Sequence, residues 1–378
     1  MRLLLVIPEK FGGFDLTPLG QVAVFEPIAK TDAALSLLIL IQNTLAARPI
    51  VEFGTSAQKD KYLRLMAEGK LIGCIGLSEP GVGSDLMNLT CKAEKVDGGW
   101  KINGEKLWIS SAKRSDIIDL AARTGTPESG ARGISLFIAP LDHTSPNLKI
   151  KTVAKHGQHA SQFCSVVFTD YFIPDDALLG ELNEGQKVLR DTLNLSRVWI
   201  AAQGTGIALH AYELAIQHVN QREMFGKKLV DLPLMARNLD HAKREIDIAR
   251  LLVRKAAWAE QTNEKYAHVW SALAKVVASE VAFLVSHDSA LFHGAMGYTM
   301  ETEIGYVASD AEVLRTYEGS RETLTELALK YLTEEQLQLV WPRADHPIKP
   351  IGDLPTAEKV IRTVEGWEIK KRNIAGDR

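Results

Sequence analysis

The spacing of apolar residues changes period twice along this chain, and that double change most limits how it can fold. After a loop from Pro8 to Pro18, the first stretch is helical. Ala33 to Leu40 is apolar on most sides, as a buried helix is. Gly54-Thr55-Ser56 stops one helix and caps the next, which continues from Asp60 to Ala67. Short alternating runs and frequent turn signals then take over. Gly98 to Ser110 reads as a hairpin with a turn at each end, and Ile134 to Pro140 and Phe163 to Phe168 are further strands. From Gly185 the helical period returns in three long runs, Gln186 to Gln221, Leu234 to Gln261 and Tyr266 to Phe292, joined mostly at Gly or Pro. Long helices with short joins make a bundle. After Tyr331 the prolines Pro342, Pro347, Pro350 and Pro355 break the pattern. The expected fold is α+β, mainly α. It comprises an N-terminal helical domain (1–73), a middle β-barrel or sandwich (74–180), a C-terminal four-helix-bundle domain (181–335), and a tail (336–378) laid over the surface or a partner subunit.

At 378 residues and 46% hydrophobic, the chain can bury a large core. Its net charge of −3 argues against nucleic acid or an anionic membrane as a main partner. Cys74, Cys91 and Cys164 have no CxxC spacing, which fits a reducing compartment and gives neither a metal site nor a disulfide framework. Met1 to Pro8 is too short an apolar run for a signal peptide, and no run looks long enough for a bilayer span. A soluble protein of the cytoplasm, or of a mitochondrial matrix, is expected.

Two motifs suggest chemistry. Tyr317-Glu318-Gly319 puts a carboxylate at a break between helical segments, where it can point into a cavity. Leu77-Ser78-Glu79-Pro80-Gly81-Val82-Gly83-Ser84-Asp85 is a Gly-rich turn that lets backbone N–H groups approach a cofactor, or simply a surface loop. Other residues have bland readings as well. Trp108-Ile109-Ser110 could plug a core strand, Arg197 could be a surface residue in mid-helix, and Arg222 could be solvated at a helix C-terminus that favours it. His156-Gly157-Gln158-His159 reads as a loop rather than a metal pair.

Eight segments in order give the chain a resemblance to the acyl-CoA dehydrogenase family, from about Leu4 to Leu332. They are Val6 to Gly13; Phe53-Gly54-Thr55 with Gln58-Lys59; Leu77 to Asp85; Ile102-Asn103-Gly104 with Trp108-Ile109-Ser110; Arg132 to Ser135; Gln221-Arg222 with Phe225-Gly226; His293-Gly294 with Gly297-Tyr298; and Tyr317-Glu318-Gly319. The resemblance implies FAD as cofactor, an acyl-CoA or acyl-carrier thioester as substrate, an electron-transfer flavoprotein as acceptor, and a homo-oligomer, tetramer or dimer. It implies FAD contacts from Gly76, Leu77, Ser78, Gly83, Ser84, Trp108, Ile109, Ser110 and Ser320. Across a subunit interface it implies further FAD contacts from Arg222, Phe225, His293, Gly294 and Gly297, with Arg222 reaching the pyrophosphate. Substrate contacts are implied for Ser84, Arg197, Tyr317 and Gly319, and no metal. Glu318 would be the α-proton base. In some relatives the base lies just before the Arg at 197, but here that residue is Ser196.

The chain departs from the family pattern at Asp231-Leu232-Pro233, where a Gln is common, at Leu291 in place of another Gln, and at Ser309 in place of an Arg. It also begins late relative to the family. The alternatives are a flavin oxidase or dehydrogenase of the same fold acting on a carrier-protein-bound acyl or aminoacyl group, and a non-catalytic member.

Overall fold

A computed structural model describes residues 4–299 and 301–340, with side chains through residue 331. The tail expected over 336–378 lies outside the described residues from position 341 onward, and up to Val340 the chain is still helical.

Helix α1 (Pro18–Thr31) starts at Thr17, whose side chain accepts from the Gly20 N–H. Helix α2 (Ala33–Leu40) passes without a break through a π-helical stretch, Ile41–Ala47, into α3 (Arg48–Phe53). The result is longer and more apolar than its interrupted sequence suggests. Ala33–Phe53 and Ala267–Phe292 are both long and apolar enough to cross a membrane, contrary to expectation, yet 72% and 61% of their apolar windows are buried inside the protein. That burial is what core helices show. Helix α4 (Ser56–Ala67) begins with a capping box in which Thr55 and Gln58 satisfy each other's backbone N–H.

The middle region is one mixed sheet. Its strands are β1 (Gly73–Gly76), β2 (Lys92–Val96), β3 (Gly99–Ser110), β4 (Ile117–Arg123), β5 (Ile134–Pro140), β6 (Leu148–Thr152), β7 (Phe163–Pro174) and β8 (Leu178–Leu179). They join in the order β6-β7-β3-β2-β4-β5-β8, with β1 running parallel beside β4. The β2–β3 hairpin turns at Asp97-Gly98, between paired Val96 and Gly99. The second expected turn, at Asn103-Gly104, is instead a register shift inside one continuous strand, β3. Gly104 has φ +150°, and a Cβ there would come 2.6 Å from Cys91 Cα, so neighbouring backbone, not a chain reversal, requires the glycine. Two side-chain amides tie sheet to helices: Gln42 exchanges hydrogen bonds with Gly73, and Gln58 donates to the carbonyls of Asp176 and Leu178.

The C-terminal region is helical: α5 (Gly185–Gln221), α6 (Pro233–Gln261), α7 (Ala267–Phe292), α8 (Glu303–Glu312) and α9 (Arg321–Val340). A two-residue turn, Phe225-Gly226, joins the short strands β9 (Glu223–Met224) and β10 (Lys227–Lys228) after α5. Helices α5 and α7 pack against each other through small buried residues: a Cβ on Gly204 would come 2.7 Å from the Ala278 carbonyl oxygen. Such a face lets the helices approach closely. It also brings Arg197 of α5 and Lys275 of α7 to the turn that follows α8.

Candidate active site

Glu318 occupies the connection between α8 and α9 with φ +54°, a left-handed conformation that a side chain bearing Cβ adopts only under constraint. Two cations, one half-buried and one fully buried, grip the turn. Arg197 of α5 donates from Nε to the Glu318 carbonyl oxygen at 3.2 Å. Lys275 of α7, with no exposed surface, donates from Nζ to the Gly319 carbonyl oxygen at 2.6 Å. The carboxyl is sunk into the protein, and its Oε2 is buried without a hydrogen-bond partner among the described residues. Burial pushes the Glu318 carboxyl up to about 7, against the opposing pull of the Ser196 hydroxyl, Arg197 and Lys275. Burial also brings Lys275 down to about 8, although the Glu318 charge opposes this.

Tyr317 uses its hydroxyl internally, donating to Gln203 Oε1. Gln203 in turn donates to the Ala33 carbonyl and the Ser36 hydroxyl, both at 2.9 Å. The approach to the turn is held from the sheet side, where the Gln158 N–H bonds the Asp310 carboxylate and Gln158 Nε2 bonds the Asp310 carbonyl at 3.1 Å. His156-Gly157-Gln158-His159 is thus a loop docked on α8. Ser309 turns its hydroxyl back onto the Gly305 carbonyl at 3.1 Å.

The Gly-rich turn closes tightly, with reciprocal backbone bonds between Glu79 and Val82. Beneath it lies an ion pair absent from the sequence reading. Lys106 Nζ meets Glu79 Oε1 at 2.7 Å, with side chains 0% and 1% exposed. Glu79 also accepts from Thr90 N, Thr90 Oγ1 and Cys91 N, and Lys106 donates to the Leu77 carbonyl. Burial pushes the Glu79 carboxyl up, but Lys106 and Thr90 outweigh it and hold it below the usual range. Leu107 N donates to the Ser78 carbonyl at 2.8 Å, so the turn and β3 move as one unit. Just beyond, β3 shifts register between Lys106 and Ile109, and Trp108 takes φ +67°. The shift turns Trp108 outward, half exposed and stacked on Phe163 with centroids 5.3 Å apart. Ile109 points into the sheet core and is buried there. Gly76 is a packing position: a Cβ there would lie 2.8 Å from Ile118 Cδ1.

These segments converge. Ser320 caps α9 by accepting from the Thr323 N–H, and Thr323 Oγ1 donates to Ser84 Oγ at 3.3 Å. Ser84 and Gly83 are exposed beside this contact. One chain therefore brings together Glu318, Gly319, Ser320, Arg197 and Ser84. It does not bring Arg222, Phe225, His293, Gly294 and Gly297 to them. Arg222 ends the same helix that carries Arg197, roughly 37 Å further along at 1.5 Å per residue. His293 stacks on His218 at 4.1 Å between centroids, and Phe225, 87% exposed, lies on the hairpin after Arg222. Lys275, Glu79 and Lys106 were missed by sequence reading. The available signal was a lone lysine inside an apolar helical run, and a Glu and Lys on neighbouring segments.

The arrangement combines a sequestered carboxylate, a Gly-rich turn braced by a buried ion pair, and an exposed aromatic face. Family models for the N-terminal, middle and C-terminal domains of acyl-CoA dehydrogenase match residues 2–70, 74–171 and 183–332. The chain is 36% identical over 321 residues to the short-chain specific acyl-CoA dehydrogenase of Megasphaera elsdenii, covering 83% of this chain and 82% of that protein. It is 32% identical over 317 residues to the mitochondrial short-chain specific acyl-CoA dehydrogenase of Rattus norvegicus, covering 84% and 76%. The solved structure of butyryl-CoA dehydrogenase from Megasphaera elsdenii superposes with a TM-score of 0.83 at 34% identity, over 88% of this chain and 87% of that one. The chain belongs to the acyl-CoA dehydrogenase family of flavoprotein oxidoreductases. Its residues suit a flavin. Trp108 offers an exposed flat face, one residue from the Leu107 N–H that holds the Ser78 carbonyl and two residues from Ser110.

Proposed function

We propose that this protein dehydrogenates an acyl-CoA thioester to the 2-enoyl thioester, with Glu318 as the α-proton base and FAD as the cofactor. The observation that carries this reading is the Glu318 carboxyl: buried, raised to about 7, with Oε2 free of partners among the described residues, on a turn gripped by Arg197 and Lys275. A thioester α-C–H is a weak acid. Its removal needs a base of raised pKa, fixed in place and shielded from water. Glu318 takes that proton onto its free Oε2, and the two cations accommodate the carboxylate that is there beforehand. The Gly319 turn and Ser84 border the space next to the base, where the thioester end is proposed to lie. FAD, when bound, would supply the acceptor for the β-hydrogen, which leaves the substrate as hydride.

Leu77, Ser78, Trp108 and Ser110 are proposed to hold the flavin ring system. Arg222, Phe225, His293, Gly294 and Gly297, too remote to serve the same chain's Glu318, are proposed to hold the pyrophosphate end of a second copy's cofactor. A guanidinium fork suits a diphosphate, and this reading requires a homo-oligomer. The proposed electron acceptor is an electron-transfer flavoprotein.

The test is anaerobic titration of the purified holoprotein with a panel of acyl-CoAs and acyl-carrier thioesters, following flavin absorbance. Bleaching by an acyl-CoA supports the reading. Bleaching by carrier-bound thioesters alone, or fast reoxidation of the bleached protein in air, moves the assignment to the carrier-dependent or oxidase alternative.

A further inference from the structure

Lys275 has no place in the motifs that identify the chain, yet its position is highly specific. It sits on α7 with no exposed surface, among Ala272, Ala274 and Ala278, which are fully buried as well. Its Nζ reaches the Gly319 carbonyl at 2.6 Å, and among the described residues it donates to no other group. One residue earlier, the Glu318 carbonyl takes its hydrogen bond from Arg197. Two consecutive carbonyls, both in residues of positive φ (54° and 108°), are therefore each fixed by a cation from a different helix, and Lys275 is the fully buried one. An uncompensated ammonium in such surroundings is unfavourable. Its retention calls for an anion close by, and Glu318 is the buried carboxylate whose charge acts on it.

We infer that Lys275 is a positioning residue for the Glu318 base: it fixes the Gly319 carbonyl, and so the left-handed Glu318-Gly319 turn, and supplies positive charge to the ionised carboxylate. This rests on Glu318 being the base. The other groups around the pair are charged or polar and come from several elements: Ser196 and Arg197 on α5, Glu260 on α6, Glu280 on α7 and Glu322 on α9. Glu280 is engaged by Arg315 and Arg321, and Glu260 accepts from Ser271. The Glu318 carboxylate is thus left to Arg197 and Lys275 for its countercharge.

The experiment compares the pH dependence of anaerobic, substrate-driven flavin bleaching in wild type, Lys275→Met, Lys275→Gln and Glu318→Gln, with flavin content and near-ultraviolet circular dichroism confirming folded holoprotein. Met keeps the stem and removes both donor and charge, whereas Gln keeps an N–H donor without the charge. Lys275→Met is expected to slow bleaching about 10–100-fold, the range for a lost hydrogen bond involving a charged group. The midpoint of its rising pH limb should move upward, because a nearby cation lowers a carboxyl pKa. Lys275→Gln should show the same upward move with a smaller loss of rate, and it decides the question if the Met variant does not fold. An unmoved midpoint in the folded variants, whatever the rate, overturns the inference. Normal bleaching by Glu318→Gln would instead overturn the assignment of the base itself.

Discussion

Arg197 donates its Nε–H to the main-chain carbonyl of Glu318, not to its carboxylate. The guanidinium thereby fixes where the side chain starts while leaving Oε2 free. It is itself held by the Asn194 side chain at 3.1 Å, so its direction is set from within α5. Replacement by Lys keeps a positive charge but loses the planar, directional donor. Arg197→Lys should bind flavin normally and slow the bleaching step about 10–100-fold. Stopped-flow absorbance under anaerobic conditions measures this, and an unchanged rate would remove Arg197 from the positioning of the base.

The raised pKa of Glu318 gives the pH dependence a sign. As the proposed base, Glu318 works ionised, so the rate of substrate-driven bleaching should rise with pH to a plateau, with a midpoint near 7 in the free enzyme. Stability runs the other way. The carboxyl titrates near 4.5 in an unfolded chain and near 7 in the folded one, so the native state holds the extra proton between those values. Stability contributed by this group is complete below 4.5 and is lost as pH rises through 7. Glu318→Gln should therefore gain stability relative to wild type across that window, by up to about 3 kcal/mol. Urea unfolding at pH 5 and pH 8 measures the difference.

Gly319 has φ +108°, and a Cβ there would come 2.8 Å from Leu324 Cδ2. Gly319→Ala should destabilise the protein by roughly 1–3 kcal/mol and disturb the base it follows. Thermal unfolding and flavin bleaching should fall together. A variant with wild-type stability and rate would show that the turn tolerates a side chain and is not tightly defined.

Breaking the Lys106–Glu79 pair strands a charge under the Gly-rich turn. Lys106→Met alone should cost about 3–5 kcal/mol and weaken flavin retention. Adding Glu79→Gln should restore part of the stability, since the stranded charge is then gone. A double-mutant cycle by chemical denaturation, with flavin content measured in parallel, checks both statements.

Arg222 tests the shared-site proposal. If it serves the cofactor of a second copy, Arg222→Ala should lose flavin on gel filtration although the residue lies far from Glu318. Sedimentation should show that the flavin-loaded species is an oligomer. Flavin tightly held by a monomer would contradict the proposal.

The long helices could be read from sequence because their period is sustained and punctuated: Gln221, Gln261 and Phe292 end helices as expected. Asn103-Gly104 misled because the dipeptide is a local turn signal, whereas what fixes it is the proximity of Cys91 on a neighbouring segment. The buried length of Ala33–Phe53 was hidden by Gln42, Asn43 and Thr44. Each finds a partner inside the protein, as in the bonds from Leu5 N to Asn43 and from Thr44 to Ser196. Glu318 was visible because its motif is local. Lys275 was not, because its meaning depends on Gly319, in a different element of the bundle.

The central claim is that Glu318 removes the substrate's α-proton. Anaerobic titration of flavin-loaded Glu318→Gln with an acyl-CoA that bleaches the wild type tests it most directly. The account predicts that the variant binds flavin and perturbs its spectrum on adding ligand but shows no bleaching over the wild-type time course. Bleaching at the wild-type rate would contradict it.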